Sequence, residues 1–348
     1  MDSLTQAALG AVMGELVLGR KLGWRGAAWG AFFGTLPDLD VIALPFLDAA
    51  AGIRWHRGLS HSILIMIMAS LILARPVARC HRERGVKAVE AGWLIFWAWS
   101  THVLIDCFTT YGTQIFEPFS DARVAMNVMF IVDPLFTLPL LIGLWMALRL
   151  PRDSWRRRRV MGISVCVSSL YVMVGFAMQS WAENEISRHM KNDLLDAELV
   201  QVAPSSFNTI LWRGLIETKE GYYLTYWSPF DGEQGAAYDY IEKKCEIMNS
   251  YEGTAELDAL KWFSRRHWVA RKGKDGRSVF IDMRFTEIRD PRSGILQPIF
   301  QWHLERAESG SVSVPMERPT GLDYAGAGVL IWERIWGGQE RWEAVKEF

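Results

Sequence analysis

Two ionisable residues four positions apart, His102 and Asp106, lie in the apolar stretch "THVLIDC". In an α-helix this spacing places both side chains on one face, where they can share a ligand. An ionisable residue inside a lipid-embedded helix costs free energy, and it usually marks a functional site. We therefore expect His102 and Asp106 to bind a metal ion.

A second pair of histidines, His56 and His61, lies in "HRGLSHS", directly before the apolar run "ILIMIMASLILA". Two neutral imidazoles together with carboxylates are the usual ligands of zinc or a similar divalent ion. Arg57 lies between the two histidines, and a guanidinium matches the geometry of a phosphate group. The pattern predicts His56 and His61 as metal ligands and Arg57 as the residue that holds an anionic substrate. The alternative is an interfacial loop whose histidines face lipid headgroups.

Carboxylates follow or precede a proline at two further places. Asp38 and Asp40 follow Pro37 in "GTLPDLDV", and Asp133 precedes a proline in "IVDPLF". Proline frees backbone groups, which is tolerated at membrane depth where the chain lines a cavity. We expect Asp38 and Asp40 to be metal ligands, with Asp40 or Asp133 accepting a proton in catalysis. The alternatives are an ordinary turn for the first pair and a helix N-cap for Asp133.

The composition favours a membrane protein that carries a soluble part. Of 348 residues, 50% are hydrophobic and 17 are Trp, and the mean hydropathy is +0.06. Residues 160–182 contain no formal charge and are long enough to cross a bilayer. Polar groups interrupt the earlier apolar segments, which are residues 4–18, 26–47, 59–74, 91–110 and 124–148. The four cysteines occur singly, which indicates neither a disulfide framework nor a thiolate metal site.

The sequence changes character after residue 182. Stretches such as "SVFIDMRFTEIRD" alternate apolar and polar residues, as strands do, and "AELDALKWFSRRH" has the pattern of a helix. We expect a polytopic α-helical membrane domain at residues 1–182, with five or six helical segments, some of them broken. A soluble α+β domain is expected at residues 183–348.

The distribution of Lys and Arg in the short loops predicts the orientation of the chain in the membrane. The loops at residues 20–25, 75–87 and 151–159 are basic, and the positive-inside rule assigns them to the cytoplasm. The C-terminal domain is then periplasmic, and the candidate ligands of separate helices fall in one layer near the non-cytoplasmic face. The formal net charge of −1 gives no indication that the protein binds nucleic acid. The sequence does not indicate an oligomeric state.

Five motifs in this order and spacing, "MDSLTQAALGAVMGE", "GTLPDLDV", "HRGLSHS", "THVLIDCFTTYGTQ" and "FIVDPLFTLPLL", carry a family resemblance. Residues 1–150 resemble the bacterial membrane-bound metal-dependent hydrolases of the YdjM type, also described as LexA-regulated inner-membrane hydrolases. Many members carry a His in the first motif, where this chain has Gln6. The family is distantly similar to zinc-dependent phospholipase C and P1 nuclease, whose metal clusters use HxxxD pairs such as His102 and Asp106. The resemblance implies phosphoester hydrolysis at a bacterial inner membrane.

These observations predict a membrane-embedded, zinc-dependent hydrolase of the phosphoester class. A metal-activated water would be the nucleophile, and a phospholipid or lipid-linked phosphoester would be the substrate, because the site lies at the bilayer boundary. The main alternative is a transporter or channel for a metal ion or proton, since broken helices and intramembrane carboxylates also serve ion pathways. A third possibility is a membrane-anchored binding or assembly protein with a structural metal site.

Overall fold

Helices make up most of the first half of the chain. The computed structural model describes residues 1–193, 196–232, 236–273, 275–292, 294–306, 311–338 and 342. The helices up to residue 193 are α1 (Ser3–Leu22), α2 (Trp24–Thr35), α3 (Ala49–Trp55), α4 (Ile63–Cys80), α5 (Ala88–Cys107), α6 (Pro134–Leu148) and α7 (Trp155–Asp193). Three 3₁₀ segments, Leu36–Phe46, Leu59–His61 and Arg82–Arg84, lie between them.

Side-chain caps fix where several of these helices begin. Asp2 accepts a hydrogen bond from the backbone N–H of Thr5 at the start of α1, and Ser62 caps α4 in the same way. Asp133 caps α6, whose first residue is Pro134. The apolar segment predicted at residues 124–148 is therefore helical only from Pro134 onward, because the proline and its cap set the start of the helix.

Among the residues that the structure describes, four helical segments are long and apolar enough to cross a membrane, namely Trp24–Phe46, Ile63–Cys80, Ala88–Cys107 and Trp155–Asp193. The helix Pro134–Leu148 is apolar but shorter. These segments confirm the predicted polytopic helical membrane part. The chain divides into two compact units, one made of residues 1–46 and 55–176 and the other of residues 47–54 and 177–348.

α1 and α2 pack against each other through glycines. A Cβ atom added at Gly30 would lie 2.1 Å from the carbonyl oxygen of Gly10, and one added at Gly14 would lie 2.2 Å from that of Gly26. A Cβ at Gly34 would meet the carbonyl oxygen of Gln6 at 2.9 Å. Small residues spaced four apart allow such close backbone contact between membrane helices. The contact holds the end of α2 against the start of α1.

A buried ion pair joins α1 to α7. Arg157 donates from Nε to Glu15 Oε1 at 2.6 Å and from Nη2 to Glu15 Oε2 at 2.8 Å, and both side chains are at most 6% exposed. Arg157 also donates to the carbonyl oxygen of Leu150. The bidentate geometry satisfies both charges away from water.

α5 supplies the centre of the first unit. Ala91, Leu94, Ile95 and Ala98 are fully buried on one face of this helix. The same helix carries His102 and Asp106 in its last two turns, where both are buried. Packing of the apolar face therefore holds α5 in place, and with it the side chains of His102 and Asp106.

The second unit is built on antiparallel sheets. Its strands are β1 (Glu198–Pro204), β2 (Trp212–Glu217), β3 (Gly221–Trp227), β4 (Asp239–Glu242), β5 (Trp268–Lys272), β6 (Ser278–Asp282), β7 (Glu287–Arg289), β8 (Leu296–Pro298), β9 (Gln301–Arg306) and β10 (Val312–Ser313). The sheet orders are β1-β2-β3-β4, β10-β9-β6-β5 and β7-β8. The helices α8 (Ala255–Phe263) and α9 (Tyr324–Ile335) also belong to this unit. Its buried core includes Leu215, Leu224 and Val279, in agreement with the predicted α+β class.

Candidate metal centre

Four side chains from separate parts of the first unit converge on one point. Asp38, His61, His102 and Asp106 each direct one ligand atom to it, and these atoms lie within 4.8 Å of one another. Asp38 comes from the 3₁₀ segment after α2, His61 from the short segment before α4, and the other two from α5. The side chain of Asp38 is 22% exposed, whereas the other three are fully buried. Asp38 is accordingly the one member of the cluster with a partly exposed side chain.

The hydrogen bond of His102 fixes its tautomer. Its Nδ1 lies 2.6 Å from the carbonyl oxygen of Gly34, in the last turn of α2. A carbonyl can only accept, so Nδ1 carries the proton and donates it. Carbonyls in the last turn of a helix have no partner within the helix, which makes Gly34 available. In the neutral ring the Nε2 atom of His102 therefore points its lone pair into the cluster.

His61 is oriented by a chain of two hydrogen bonds. The hydroxyl of Ser60 donates its single proton to Asp40 Oδ2 at 3.1 Å, and Ser60 Oγ lies 2.9 Å from Nδ1 of His61. Because the proton of Ser60 is already used, Nδ1 of His61 must be the donor to Ser60 Oγ. The Nε2 atom of His61 then also presents a lone pair to the cluster. Outer partners of this kind set the tautomer and orientation of metal-binding histidines.

The two oxygens of Asp106 have different surroundings. Oδ1 accepts from Gln6 Nε2 at 2.9 Å, contacts Arg57 Nη2 at 3.3 Å and receives the α-amino group of Met1. Oδ2 is buried and accepts no hydrogen bond from the described residues. Oδ2 faces His61 and His102 at 3.4 and 3.5 Å. One oxygen is thus held by donors while the other is left to face the cluster.

A divalent cation fits these four atoms. The five closest separations are 3.1 Å between the two Nε2 atoms, 3.3 and 3.4 Å from His61 to the two carboxylates, and 3.5 Å from His102 to each. Ligand atoms of a tetrahedral zinc ion lie roughly 3.3–3.6 Å apart, given bonds of about 2.0–2.2 Å. Asp38 Oδ1, like Asp106 Oδ2, is buried and accepts no hydrogen bond from the described residues. The cluster thus presents two imidazole lone pairs and two carboxylate oxygens, and none of these four atoms is a hydrogen-bond donor to another. Such a set of nitrogen and oxygen ligands suits a divalent cation.

Arg57 lies directly beside the cluster. It is 4% exposed, its Nη1 donates to the hydroxyl of Thr109 at 3.1 Å, and its guanidinium lies 4.6 Å from the centre of the Tyr111 ring. Its backbone φ of 61° is in the left-handed region, which is uncommon for a residue with a side chain. The backbone N–H of Arg57 donates to Asp40, which helps to hold this conformation. The charge of Arg57 is therefore fixed next to Asp106.

Besides Arg57, three residues proposed from sequence lie outside the four-residue cluster, namely Asp40, His56 and Asp133. His56 contacts Asp40 through Nδ1 at 2.9 Å. Asp40 itself has both oxygens occupied, by His56, by the backbone of Arg57 and by Ser60. Asp133 uses Oδ1 to cap α6 and accepts from the Tyr171 hydroxyl with Oδ2.

Several contributors to the site were not found from the sequence. The Gly34 carbonyl and the glycines that place it were not predicted to contribute, although the four-residue spacing of these glycines is a known sign of close helix packing. Ser60 gave no recognisable signal, because a serine beside a histidine is common. Gln6, in contrast, was noted in the first sequence motif, and it contributes by donating a hydrogen bond to Asp106.

The fold and the cluster define a polytopic helical membrane protein with a site suited to a metal ion and a C-terminal α+β domain. The chain belongs to the YdjM inner membrane protein family, whose model matches residues 1–182 of 348. The matched region contains all four residues of the cluster. The family name places the protein in the inner membrane.

One curated relative, the uncharacterized protein YfhP of Bacillus subtilis, is 25% identical over 195 residues. The match covers 54% of this chain and 54% of the relative, so the chain spans about half the length of the protein it matches. No solved structure matches the chain.

Proposed function

We propose that this protein is a membrane-embedded, metal-dependent hydrolase that binds a divalent ion, with zinc as the best candidate. The observation that carries the proposal is the convergence of two histidine lone pairs and two buried carboxylate oxygens that accept no hydrogen bond from the described residues. Asp38, His61, His102 and Asp106 would hold the ion. A divalent ion acts as a Lewis acid and lowers the pKa of water.

The surrounding residues have distinct roles in this proposal. Asp40 is a positioning residue, because it orients His61 through Ser60 and does not itself reach the cluster. Gln6 and Arg57 hold Oδ1 of Asp106, so that Oδ2 remains directed at the ion. Water and substrate would reach the ion from the side of Asp38, the one partly exposed side chain of the cluster.

A phosphoester is the substrate class that fits this arrangement. Arg57 provides a fixed positive charge beside the cluster, and a guanidinium pairs well with phosphate oxygens. A phospholipid or lipid-linked phosphoester is favoured because the cluster is built by helices long and apolar enough to lie in the membrane. The C-terminal domain is then periplasmic, as the basic loops predict.

The arrangement of α1 favours an enzyme over an ion pathway. Between Gln6 and Glu15, the buried residues of this helix are all apolar or glycine, namely Ala8, Leu9, Gly10, Ala11, Val12 and Gly14. Glu15 is neutralised by Arg157. An ion pathway would need polar groups that continue from the cluster toward the other side, and α1 offers none in this stretch.

The decisive experiment measures the metal content of purified full-length protein by elemental mass spectrometry. We expect close to one divalent ion per chain in wild type, and loss of it in His102→Ala and in Asp106→Asn. His189→Ala is the matched control, because His189 lies on α7 outside the cluster and should leave the content unchanged. Metal-free wild type, purified without chelators, would contradict the proposal.

The same proteins are then assayed for phosphate or headgroup release from phospholipids and from a lipid-linked diphosphate in micelles. Hydrolysis by wild type and by His189→Ala, but not by His102→Ala, is the expected result. Stoichiometric metal without hydrolysis of any phosphoester would favour a structural site instead.

A further inference from the structure

A groove on the surface of the first unit lies between α4 and α5, outside the metal cluster. Its volume is about 860 Å³, within the range of roughly 300–1,000 Å³ that small-molecule sites occupy. On α4 it extends from Ile67 to Arg75, and on α5 from Ala88 to Phe96. Phe96 precedes His102 by six residues, about 9 Å along the helix. The groove therefore shares no residue with the cluster.

The walls of the groove are apolar and open to the outside. Leu71, Ile72, Val89 and Trp93 line it and are between 52% and 71% exposed. Both helices are long and apolar enough to cross a membrane, so these side chains face lipid. Gly92 contributes no side chain at the bottom, where the two helices approach closely.

One end of the groove carries a positive charge. Arg75 is exposed, and no acidic residue lines the groove in the part of the chain that the structure describes. The nearest acidic group along α5, Glu90, is paired with Lys21. Arg75 also begins the basic segment "RPVARCHRERGVK". A site with apolar walls and a cation at the membrane surface is complementary to an anionic lipid, and basic residues near a membrane surface attract such lipids.

We propose that this groove binds one anionic phospholipid, with acyl chains between α4 and α5 and the phosphate at Arg75. The proposal is independent of the metal chemistry, because the groove and the cluster are formed by different residues. An anionic lipid is favoured over a second copy of the chain because no described residue of the groove gives the charge of Arg75 an acidic complement.

Native mass spectrometry of the full-length protein tests this proposal. The protein is delipidated in detergent and supplied with equal amounts of phosphatidylglycerol and phosphatidylethanolamine. Wild type is expected to retain phosphatidylglycerol preferentially, and Arg75→Gln should lower that preference about fivefold. Arg152→Gln, which changes an exposed arginine in another basic loop, is the matched control and should keep the preference.

A second variant probes the apolar part of the site. Ala88→Phe places a ring at the edge of the groove and should reduce the retention of both lipids, while the thermal stability stays near that of wild type. Equal phosphatidylglycerol retention in wild type and Arg75→Gln would overturn the proposal. An equal loss of phosphatidylglycerol preference in Arg152→Gln would also overturn the proposal, because it would show that any exposed arginine attracts the anionic lipid. A wild-type dimer that Ala88→Phe dissociates would identify a second copy as the occupant and would also overturn it.

Discussion

The Nε2 atom of His61 lies 3.1 Å from the Nε2 atom of His102. The hydrogen bonds of both rings place the proton on Nδ1, so two lone pairs face each other inside the protein. The oxygens of Asp38 and Asp106 that complete the group are also acceptors. Such an arrangement is unfavourable without a cation, because buried acceptors need a donor or a charge partner.

The first prediction concerns the carboxylate that orients His61. Asp40→Asn removes a charge that accepts from Ser60, from His56 and from the backbone of Arg57. The substitution leaves all four ligand atoms of the cluster in place. Loss of an outer partner typically weakens metal binding about 10–100-fold. We expect a decrease of that size, measured by competition with a fluorescent zinc chelator.

Asp48→Asn is the control for this substitution. Asp48 is an aspartate that accepts a backbone N–H at the start of α3 and lies outside the cluster, so its variant should bind metal like wild type. Complete metal loss in Asp40→Asn would make Asp40 a direct ligand, as the sequence suggested. Unchanged affinity would show that the chain through Ser60 does not orient His61.

The second prediction tests the glycine contact between α1 and α2. Gly30→Ala would bring a methyl group to 2.1 Å from the Gly10 carbonyl, so the helices must separate. Overpacking of this kind costs about 1–3 kcal/mol or more. We expect a lower melting temperature in detergent and weaker metal binding, because the contact also holds Gly34 and Gln6. Gly162→Ala has open space around the new methyl and should leave both quantities unchanged or slightly raise the stability.

The class of the fold and all four residues of the cluster could be predicted from the sequence. Long apolar runs and charged loops follow directly from the cost of burying polar groups in lipid, so the helical segments were recognisable. His102 and Asp106 were recognisable because their spacing matches the helical repeat. Asp38 and His61 were identified through their residue types.

The division between direct ligands and supporting residues was not predictable. Asp38 and Asp40 are two positions apart and equally plausible as ligands. Only the structure shows that the carboxylate of Asp40 already accepts hydrogen bonds from three donors. Glu15 gave no sign of a partner, because Arg157 lies 142 residues away in sequence. A contact at that separation depends on the packing of α1 against α7 and has no local signature.

The third prediction concerns that ion pair. Glu15→Gln leaves Arg157 buried without its counter-charge, and breaking a buried pair from one side costs about 3–5 kcal/mol. We expect a large loss of thermal stability in detergent. Replacing both residues, as Glu15→Leu with Arg157→Leu, should recover part of the loss because no buried charge remains.

Asp153→Asn is the control for the ion pair. Asp153 and Arg152 form an exposed pair at 3.8 Å, and exposed pairs contribute about 0–1 kcal/mol. A loss in Glu15→Gln no larger than in this control would contradict the assignment of Glu15 and Arg157 as a buried structural pair.

The fourth prediction uses two native cysteines to test the orientation of the chain. Cys80 lies at the end of α4 in the basic segment, and Cys245 lies in the second unit, and both are exposed. If the C-terminal domain is periplasmic, a membrane-impermeant maleimide added to spheroplasts should label Cys245 and should label Cys80 only after permeabilisation. Burial raises the pKa of the Cys245 thiol, so the reaction should be run near pH 8 to obtain enough thiolate. Labelling of Cys80 but not Cys245 in intact spheroplasts would reverse the orientation and place the C-terminal domain in the cytoplasm.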